Sequence, residues 1–253
     1  MPIEIRTRSL SMDYFLVPWD TEIISRPVAE ISQIEIKDSE GVKNDYANFE
    51  DWRELHNIEL CSCRISHDSL LESFFLQEHD FRFIELNYHP KFQGLQQSQL
   101  SDEGVEVVIA HEADRDALAQ MAGKVFKHGR FHQDLSLGET LGNERYRVWL
   151  LNSFLRPSQF VYKCLIDREI VGFFVVEYTE VKQCQWVLIG LAPGLEGRGI
   201  GTRVWKAMMF FHQTKGIDSI ITSISSHNTA VLNLYIKLGF KFPKPLATFH
   251  WHR

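Results

Sequence analysis

At 253 residues the chain has room for one large domain or two modest ones, each with its own apolar core. Its 44% hydrophobic and 24% charged residues exclude a disordered or fibrous composition, and a net charge of −6 excludes a uniformly basic nucleic-acid surface. The charge is uneven: residues 194–253 hold eight basic and two acidic side chains, which fits a local anionic ligand and equally a solvated basic face. The opening Met1-Pro2-Ile3-Glu4-Ile5-Arg6 lacks the apolar run of a secretory signal, and the longest apolar stretch, 170–176, is too short to cross a bilayer. A soluble, cytoplasmic protein with no membrane or nucleic-acid partner is expected. Cys61, Cys63, Cys164 and Cys184 have no metal-knuckle spacing, so buried structural thiols and no metal site are expected.

In chain order, 46–58 reads as a helix, 59–65 as a strand, 69–78 as a helix and 81–88 as a strand. Residues 1–92 therefore form a small N-terminal α/β domain. Residues 93–104 are Gln/Ser-rich without apolar period and read as a linker. From 105 to 253 the elements alternate. A strand (105–110) and a helix (114–126) precede a second helix (143–154) with Asn143 as N-cap. A hairpin follows (160–166 and 170–178, turning at Asp167-Arg168-Glu169), then a strand (185–191) and a glycine-rich loop. A helix (202–215), a strand (219–224), a helix (229–238) ended by Gly239, and strands at 240–242 and 247–252 complete the chain. The whole is a mixed α/β protein. Residues 76–83 (Leu-Gln-Glu-His-Asp-Phe-Arg-Phe) also echo 235–242 (Tyr-Ile-Lys-Leu-Gly-Phe-Lys-Phe); duplication is one reading and chance the other.

The loop Gly197-Arg198-Gly199-Ile200-Gly201-Thr202 joins a strand to a helix. Phosphates need backbone N–H groups that no side chain obstructs, and the helix aims its positive end at the same place. Alone, Gly-x-Gly-x-Gly fits a tight turn as well. It is neither a Walker loop nor a dinucleotide fingerprint. Downstream, Asn228 precedes Tyr235 by two helical turns, and Gly239-Phe240 follows.

Together these segments resemble motifs A and B of the GNAT N-acetyltransferase superfamily, whose loop reads Arg/Gln-x-x-Gly-x-Gly/Ala. Gly199 and Gly201 match; Glu196 departs, standing where the family prefers Arg or Gln. The resemblance implies a GNAT fold over 105–253, a mixed, mostly antiparallel twisted sheet flanked by helices. It implies acetyl-CoA as co-substrate, held by Leu191, Ala192, Gly197, Arg198, Gly199, Ile200, Gly201, Thr202 and Asn228. A backbone N–H at Leu191 or beside it would polarise the thioester carbonyl, and Tyr235 would support the leaving sulfur. From a thiol near 8.5 and a tyrosine near 10, full proton transfer is uphill by about 2 kcal/mol, which favours a strong hydrogen bond. No carboxylate stands in Gln183-Cys184-Gln185-Trp186-Val187. The nearest candidate base is Glu177, with a histidine of 128–132 or a water as alternatives, and a solvent-facing structural role as the rival reading of Glu177.

Phe126-Lys127-His128-Gly129-Arg130-Phe131-His132, Tyr146-Arg147-Val148-Trp149 and the ending Phe249-His250-Trp251-His252-Arg253 are similar to the TDP-fucosamine acetyltransferases. That similarity implies a small-molecule amine acceptor, a nucleotide-linked amino sugar, with His128, Arg130 and Phe131 beside it; a solvated loop is the bland account. Rival functions are acetylation of a peptide N-terminus, polyamine or antibiotic, and a CoA-binding sensor or scaffold without turnover. The assembly is left open, a homodimer among the options. The N-terminal domain has Leu76 where the echo places Tyr235, and Gly41 is its only glycine. It is expected to be a degenerate GNAT-like half that does not bind CoA.

Overall fold

The computed structural model describes residues 2–253, which divide into two compact units. The first contains the chain up to Asn87 together with Gln133–Leu141 and Lys244–Arg253, and the second contains Tyr88–His132 and Gly142–Pro243. These spans differ from the expected domains of 1–92 and 105–253 at both ends of the second domain.

The first unit holds strands β1 (Ile3–Arg6), β2 (Leu10–Leu16), β3 (Val28–Ile36), β4 (Leu60–Ser66) and β5 (Arg82–Tyr88). Its helices are α1 (Pro18–Ile24), α2 (Val42–Leu55) and α3 (Leu70–Glu78). The chain's last strand, β13 (Leu246–His252), lies between β4 and β5, antiparallel to both. The strand order is β1-β2-β3-β4-β13-β5, antiparallel except for the β3/β4 pair. Tyr46 and Phe49 of α2 and Phe75 and Leu76 of α3 pack into a core with Met12, Ile31, Cys61 and Phe249, all but solvent-free.

The second unit begins with β6 (Lys91–Gln93) and β7 (Glu106–Ile109), then α4 (Arg115–Val125), a one-turn α5 (Arg130–Gln133) and α6 (Glu139–Ser153). β8 (Gln159–Ile166), β9 (Glu169–Glu180) and β10 (Gln183–Leu191) form a meander. α7 (Ile200–Thr214), β11 (Ser219–Thr222), the short β12 (Ile224–Ser225) and α8 (Thr229–Lys237) follow. The sheet order is β6-β11-β10-β9-β8-β7, again antiparallel except for one pair, β10/β11. The mixed, mostly antiparallel sheet flanked by helices is therefore as expected. At the β8–β9 turn both Asp167 and Arg168 have positive φ, 51° and 68°, the primed geometry that matches strand twist in a tight hairpin.

The two units repeat one plan. In each parallel pair the first residues of the strands face each other, Val28 with Leu60 and Gln183 with Ser219. α3 and α8 are nine residues each. Both end in the same left-handed stop: Asp80 (φ 64°) lets the Phe81 N–H reach Leu76 O at 2.9 Å, and Gly239 (φ 87°) lets the Phe240 N–H reach Tyr235 O at 3.0 Å. The closing strands are also equivalent but exchanged along the chain. β13 sets Trp251 opposite Cys61, the second residue of β4; β6 sets Phe92 opposite Ile220, the second residue of β11. Each sheet is thus finished by a strand from the opposite half of the sequence.

Residues 93–104 are not a free linker. Gln96 Nε2 donates to Ile217 O (2.7 Å) and Gln213 O (3.0 Å), while Gln213 Nε2 donates to Leu95 O (2.6 Å) and Ser98 O (2.8 Å). The glutamines satisfy backbone groups at the edge of this unit. Two further readings change. Asn143 lies inside α6, its Oδ1 paired with His132 Nε2 at 3.1 Å, and no strand forms over 240–242, where Lys241 makes only a bridge to Lys91.

The four cysteines are buried as expected, and burial pushes the Cys164 and Cys184 thiols up to about 12. Among the described residues no helix is long and apolar enough to cross a membrane. His212 on α7 is buried against Tyr162, Tyr178, Trp186 and Phe211, and neither ring nitrogen has a hydrogen-bond partner among the described residues. Burial, with the Lys215 charge second, pushes its pKa down to about 3. The unfolded chain takes up this proton near pH 6.5, so stability present above that pH falls as pH falls towards 3. Between pH 7.5 and 5 this site should cost the protein about 2 kcal/mol. His212→Leu should flatten that acid loss in urea titrations at the two pH values; an equal loss in both proteins would refute the assignment.

Candidate active site

The parallel β10/β11 pair runs only from Gln183 to Trp186, opposite Ser219 to Thr222. Beyond Trp186, β10 continues to Leu191 paired with β9 alone among the described residues, across an irregularity between Trp186 and Leu188. The parallel pairing thus ends at a vertex formed by Trp186 and Thr222, where Thr222 Oγ1 donates to Trp186 O at 3.0 Å. The pairing ends at Trp186, five residues before Leu191, the position named for the carbonyl-polarising N–H, so the β10 backbone from Val187 onward has no β11 partner.

The glycine loop follows at the open end. Ala192 N–H bonds Val171 O at 2.8 Å, and Gly194, Gly197 and Gly199 have φ of 82°, 72° and 77°. Gly199 is the N-cap of α7, so the N–H groups of Ile200, Gly201 and Thr202 in the first turn have no carbonyl one turn back within the helix. Arg198 is exposed beside them. A Cβ at Gly201 would stand 3.9 Å from both Leu191 Cδ2 and Leu234 Cδ2. The start of α7, the end of β10 and α8 therefore converge on one spot.

At the other wall, Asn228 Oδ1 caps α8 by accepting the Val231 N–H at 3.2 Å. Tyr235 is 1% exposed, and its hydroxyl lies 3.5 Å from Thr222 Oγ1, at that vertex. Burial pushes its pKa up to about 12, partly offset by hydrogen bonding to Thr222 and Trp205.

Glu177 on β9 stands opposite Gln185, one residue before the vertex, and accepts a hydrogen bond from Gln159 Nε2 at 2.7 Å. By strand alternation it shares the face of Phe173 and Val175, which pack with α4 and α6. The expected acceptor segment divides. His128 titrates below an ordinary imidazole, through partial burial and then the charge of His227, which precedes the α8 cap. Phe131, expected to stack on an acceptor ring, is 1% exposed and lies beneath the Arg130 (5.3 Å) and Arg145 (4.9 Å) guanidinium groups. Arg130, expected to meet a diphosphate, is itself buried in α5. A solvent-facing role for these two is corrected.

What the sequence reading missed is a run of near-parallel rings. Phe126 stacks on Tyr146 (4.1 Å, 15°), and Tyr146 lies parallel to Trp149 (6.0 Å, 12°) and His132 (5.7 Å, 17°), all half-buried. The i, i+3 spacing of Tyr146 and Trp149 on one helix was the available signal. Gly142 permits the approach: a Cβ there would sit 2.6 Å from the His132 ring.

Residues 129–240 match the model of the acetyltransferase (GNAT) family. The chain is 28% identical over 146 residues to a dTDP-fucosamine acetyltransferase of Escherichia coli O6:H1, a match covering 56% of this chain and 60% of that protein. It is 38% identical over 53 residues to a mycothiol acetyltransferase of Renibacterium salmoninarum, covering 21% of this chain and 16% of that one. The matches thus span less than two thirds of either relative. A GCN5-related N-acetyltransferase from Sphaerobacter thermophilus shares the fold with a TM-score of 0.66 at 12% identity, over 96% of this chain and 76% of that one. So does a tandem GNAT protein from the clavulanic acid biosynthesis pathway, with a TM-score of 0.62 at 12% identity over 96% and 79%. Two units of one plan, the second with a glycine loop after β10, fit that tandem arrangement in fold, and residues 129–240, a little under half of the chain, are the part similar to the acetyltransferase (GNAT) family.

Proposed function

We propose that the second unit transfers an acetyl group from acetyl-CoA to a primary amine, that of a nucleotide-linked amino sugar. The observation that carries this is the end of β10/β11 pairing at Trp186 and Thr222, with the Tyr235 hydroxyl beside that end and the glycine loop following the unpaired run of β10. The backbone amides of 197–202 and the N-terminus of α7 bind the pyrophosphate, with Arg198 adding charge. Ala192 and the capped end of α8 at Asn228 border the donor, whose arm extends along β10 from Leu191 towards Trp186.

The amine nitrogen attacks the thioester carbon, the carbonyl oxygen gains negative charge, and a β10 N–H between Val187 and Leu191 donates to it. The C–S bond then breaks and the nitrogen loses a proton. Glu177, through a water, or His128, kept neutral by its surroundings, accepts that proton. Against a thiol near 8.5, a tyrosine at about 12 would surrender its proton at a cost of about 5 kcal/mol. Tyr235 therefore acts as a hydrogen-bond donor to the departing sulfur and keeps its proton. Tyr235→Phe should lower kcat by about 10- to 150-fold, the effect of one hydrogen bond to a charged group at about 1.5–3 kcal/mol, with the acetyl-CoA constant unchanged. A thiol-release assay run beside a thermal melt checks it: lost melting temperature with intact turnover would make Tyr235 a packing residue.

The half-buried rings of Phe126, Tyr146 and Trp149, on the elements packed against the Glu177 face, offer flat apolar surfaces for a sugar or base. The 28% identity to a dTDP-fucosamine acetyltransferase supports the same acceptor class. Turnover on a panel of nucleotide-linked 4-amino-dideoxy sugars, polyamines and peptide N-termini tests it. Turnover confined to the last two overturns the acceptor. Tight CoA binding without turnover on any amine overturns catalysis in favour of a sensor.

A further inference from the structure

One cluster of ionisable side chains takes no part in acyl transfer. His250 and His252 are two residues apart on β13, so their rings stand on the same face of the strand. Asp134, from the segment Gln133–Leu141 of the same unit, reaches both. Its Oδ2 lies 2.6 Å from His250 Nδ1 and 2.7 Å from His252 Nε2. Its other oxygen, Oδ1, accepts the Ser136 N–H at 2.9 Å, which fixes the carboxylate and turns Oδ2 towards the rings. Asp134 and His250 are buried, while the His252 side chain keeps 25% exposure, so the cluster has one open side. Among the described residues this is the group of three whose donor atoms converge, all within 4.8 Å of one another.

We propose that Asp134, His250 and His252 bind a divalent transition-metal ion, zinc by donor type, with water in the fourth position on the His252 side. Two imidazole nitrogens and one carboxylate oxygen suit zinc, which holds such ligands at about 2.0–2.2 Å and leaves one position open when the protein supplies three. Tetrahedral bonds of that length place donor atoms about 3.3 Å apart, so the two carboxylate–imidazole pairs must each open by about 0.6–0.7 Å, within reach of small side-chain rotations. The Ser136 amide is the kind of outer hydrogen bond that orients a ligating carboxylate. The ion would fasten the segment Gln133–Leu141 to β13. No metal was expected from the sequence, whose cysteines lack metal-knuckle spacing; the three donors here come from positions far apart along the chain.

The test uses the full chain without a histidine tag, treated with chelator and titrated with Co²⁺, then Zn²⁺, by visible absorption and calorimetry. One Co²⁺ per chain is expected, with the d–d bands of a low-coordinate site and displacement by Zn²⁺. His252→Gln keeps an amide donor towards Asp134, and Asp134→Asn keeps the shape but removes the anionic ligand. Each should weaken binding at least about 100-fold, since loss of a ligand exceeds the effect of losing an outer hydrogen bond. His252→Gln should leave the metal-free melting temperature unchanged. Absence of stoichiometric binding to the wild type, or wild-type affinity in either folded variant, overturns the proposal and leaves a hydrogen-bonded clamp.

Discussion

Gly199→Val should weaken acetyl-CoA binding by about 10²- to 10⁴-fold, the loss of two hydrogen bonds to charged phosphate at about 1.5–3 kcal/mol each. Gly199 caps α7 with φ 77°, a conformation a β-branched residue adopts only under strain. Around it no atom lies within 4 Å of a built Cβ, so the added side chain meets open space where the ligand phosphates would sit. Because the strain also disturbs the start of α7, Gly201→Val serves as a second variant. Its backbone is helical and its Cβ would make only ordinary contacts with Leu191 and Leu234. Calorimetry with CoA, beside a melt, separates the cases. Full affinity in both folded variants would mean that the loop is a turn and that CoA, if bound, lies elsewhere.

Removing the last ten residues, 244–253, should unfold the first unit, although its other strands lie at the far end of the sequence. The deletion takes out β13, which pairs with β4 along one edge and β5 along the other, and with it the buried Ala247, Thr248, Phe249 and His250. Loss of one buried phenylalanine costs about 3–5 kcal/mol, and the two strands left facing an empty slot add unpaired backbone groups. That is comparable with the whole stability of a small domain. Hydrogen exchange over β4 and β5, with solubility, reads the result. If 1–92 were a self-contained domain, the truncated protein would protect both strands as the full chain does, and the exchanged-strand account would fail.

The parts of this fold that the sequence made legible are those whose cause is local. The α7 and α8 patterns, the Asp167-Arg168 turn, the glycine loop and Gly239 each carry their reason within a few residues. The echo between 76–83 and 235–242 is local as well, and it extends to the two matching helix stops. What was not legible depends on distant partners. Gln96 and Gln213 look like linker polarity until the carbonyls they satisfy are in place. Asn143 reads as a cap, yet α6 starts earlier and the side chain serves His132 instead. Phe131 looked available for stacking because a motif does not reveal that two arginines cover its ring. Tyr235 lies on the helix that the spacing placed it on, but spacing says nothing of the burial that raises its pKa and makes full proton transfer costlier still, further favouring the hydrogen bond already expected.

The exchanged strands also set the order in which the protein is completed during synthesis. β4 and β5 leave the ribosome early, but the strand that belongs between them is among the last residues made. Until then the first unit must hold two open sheet edges and a core lacking Phe249, surfaces prone to pair with the wrong chain. The second unit, by contrast, has its closing strand β6 in hand before β11 is translated. The half made first is therefore the half finished last, and slowed or prematurely stopped translation should injure the N-terminal unit before the second one.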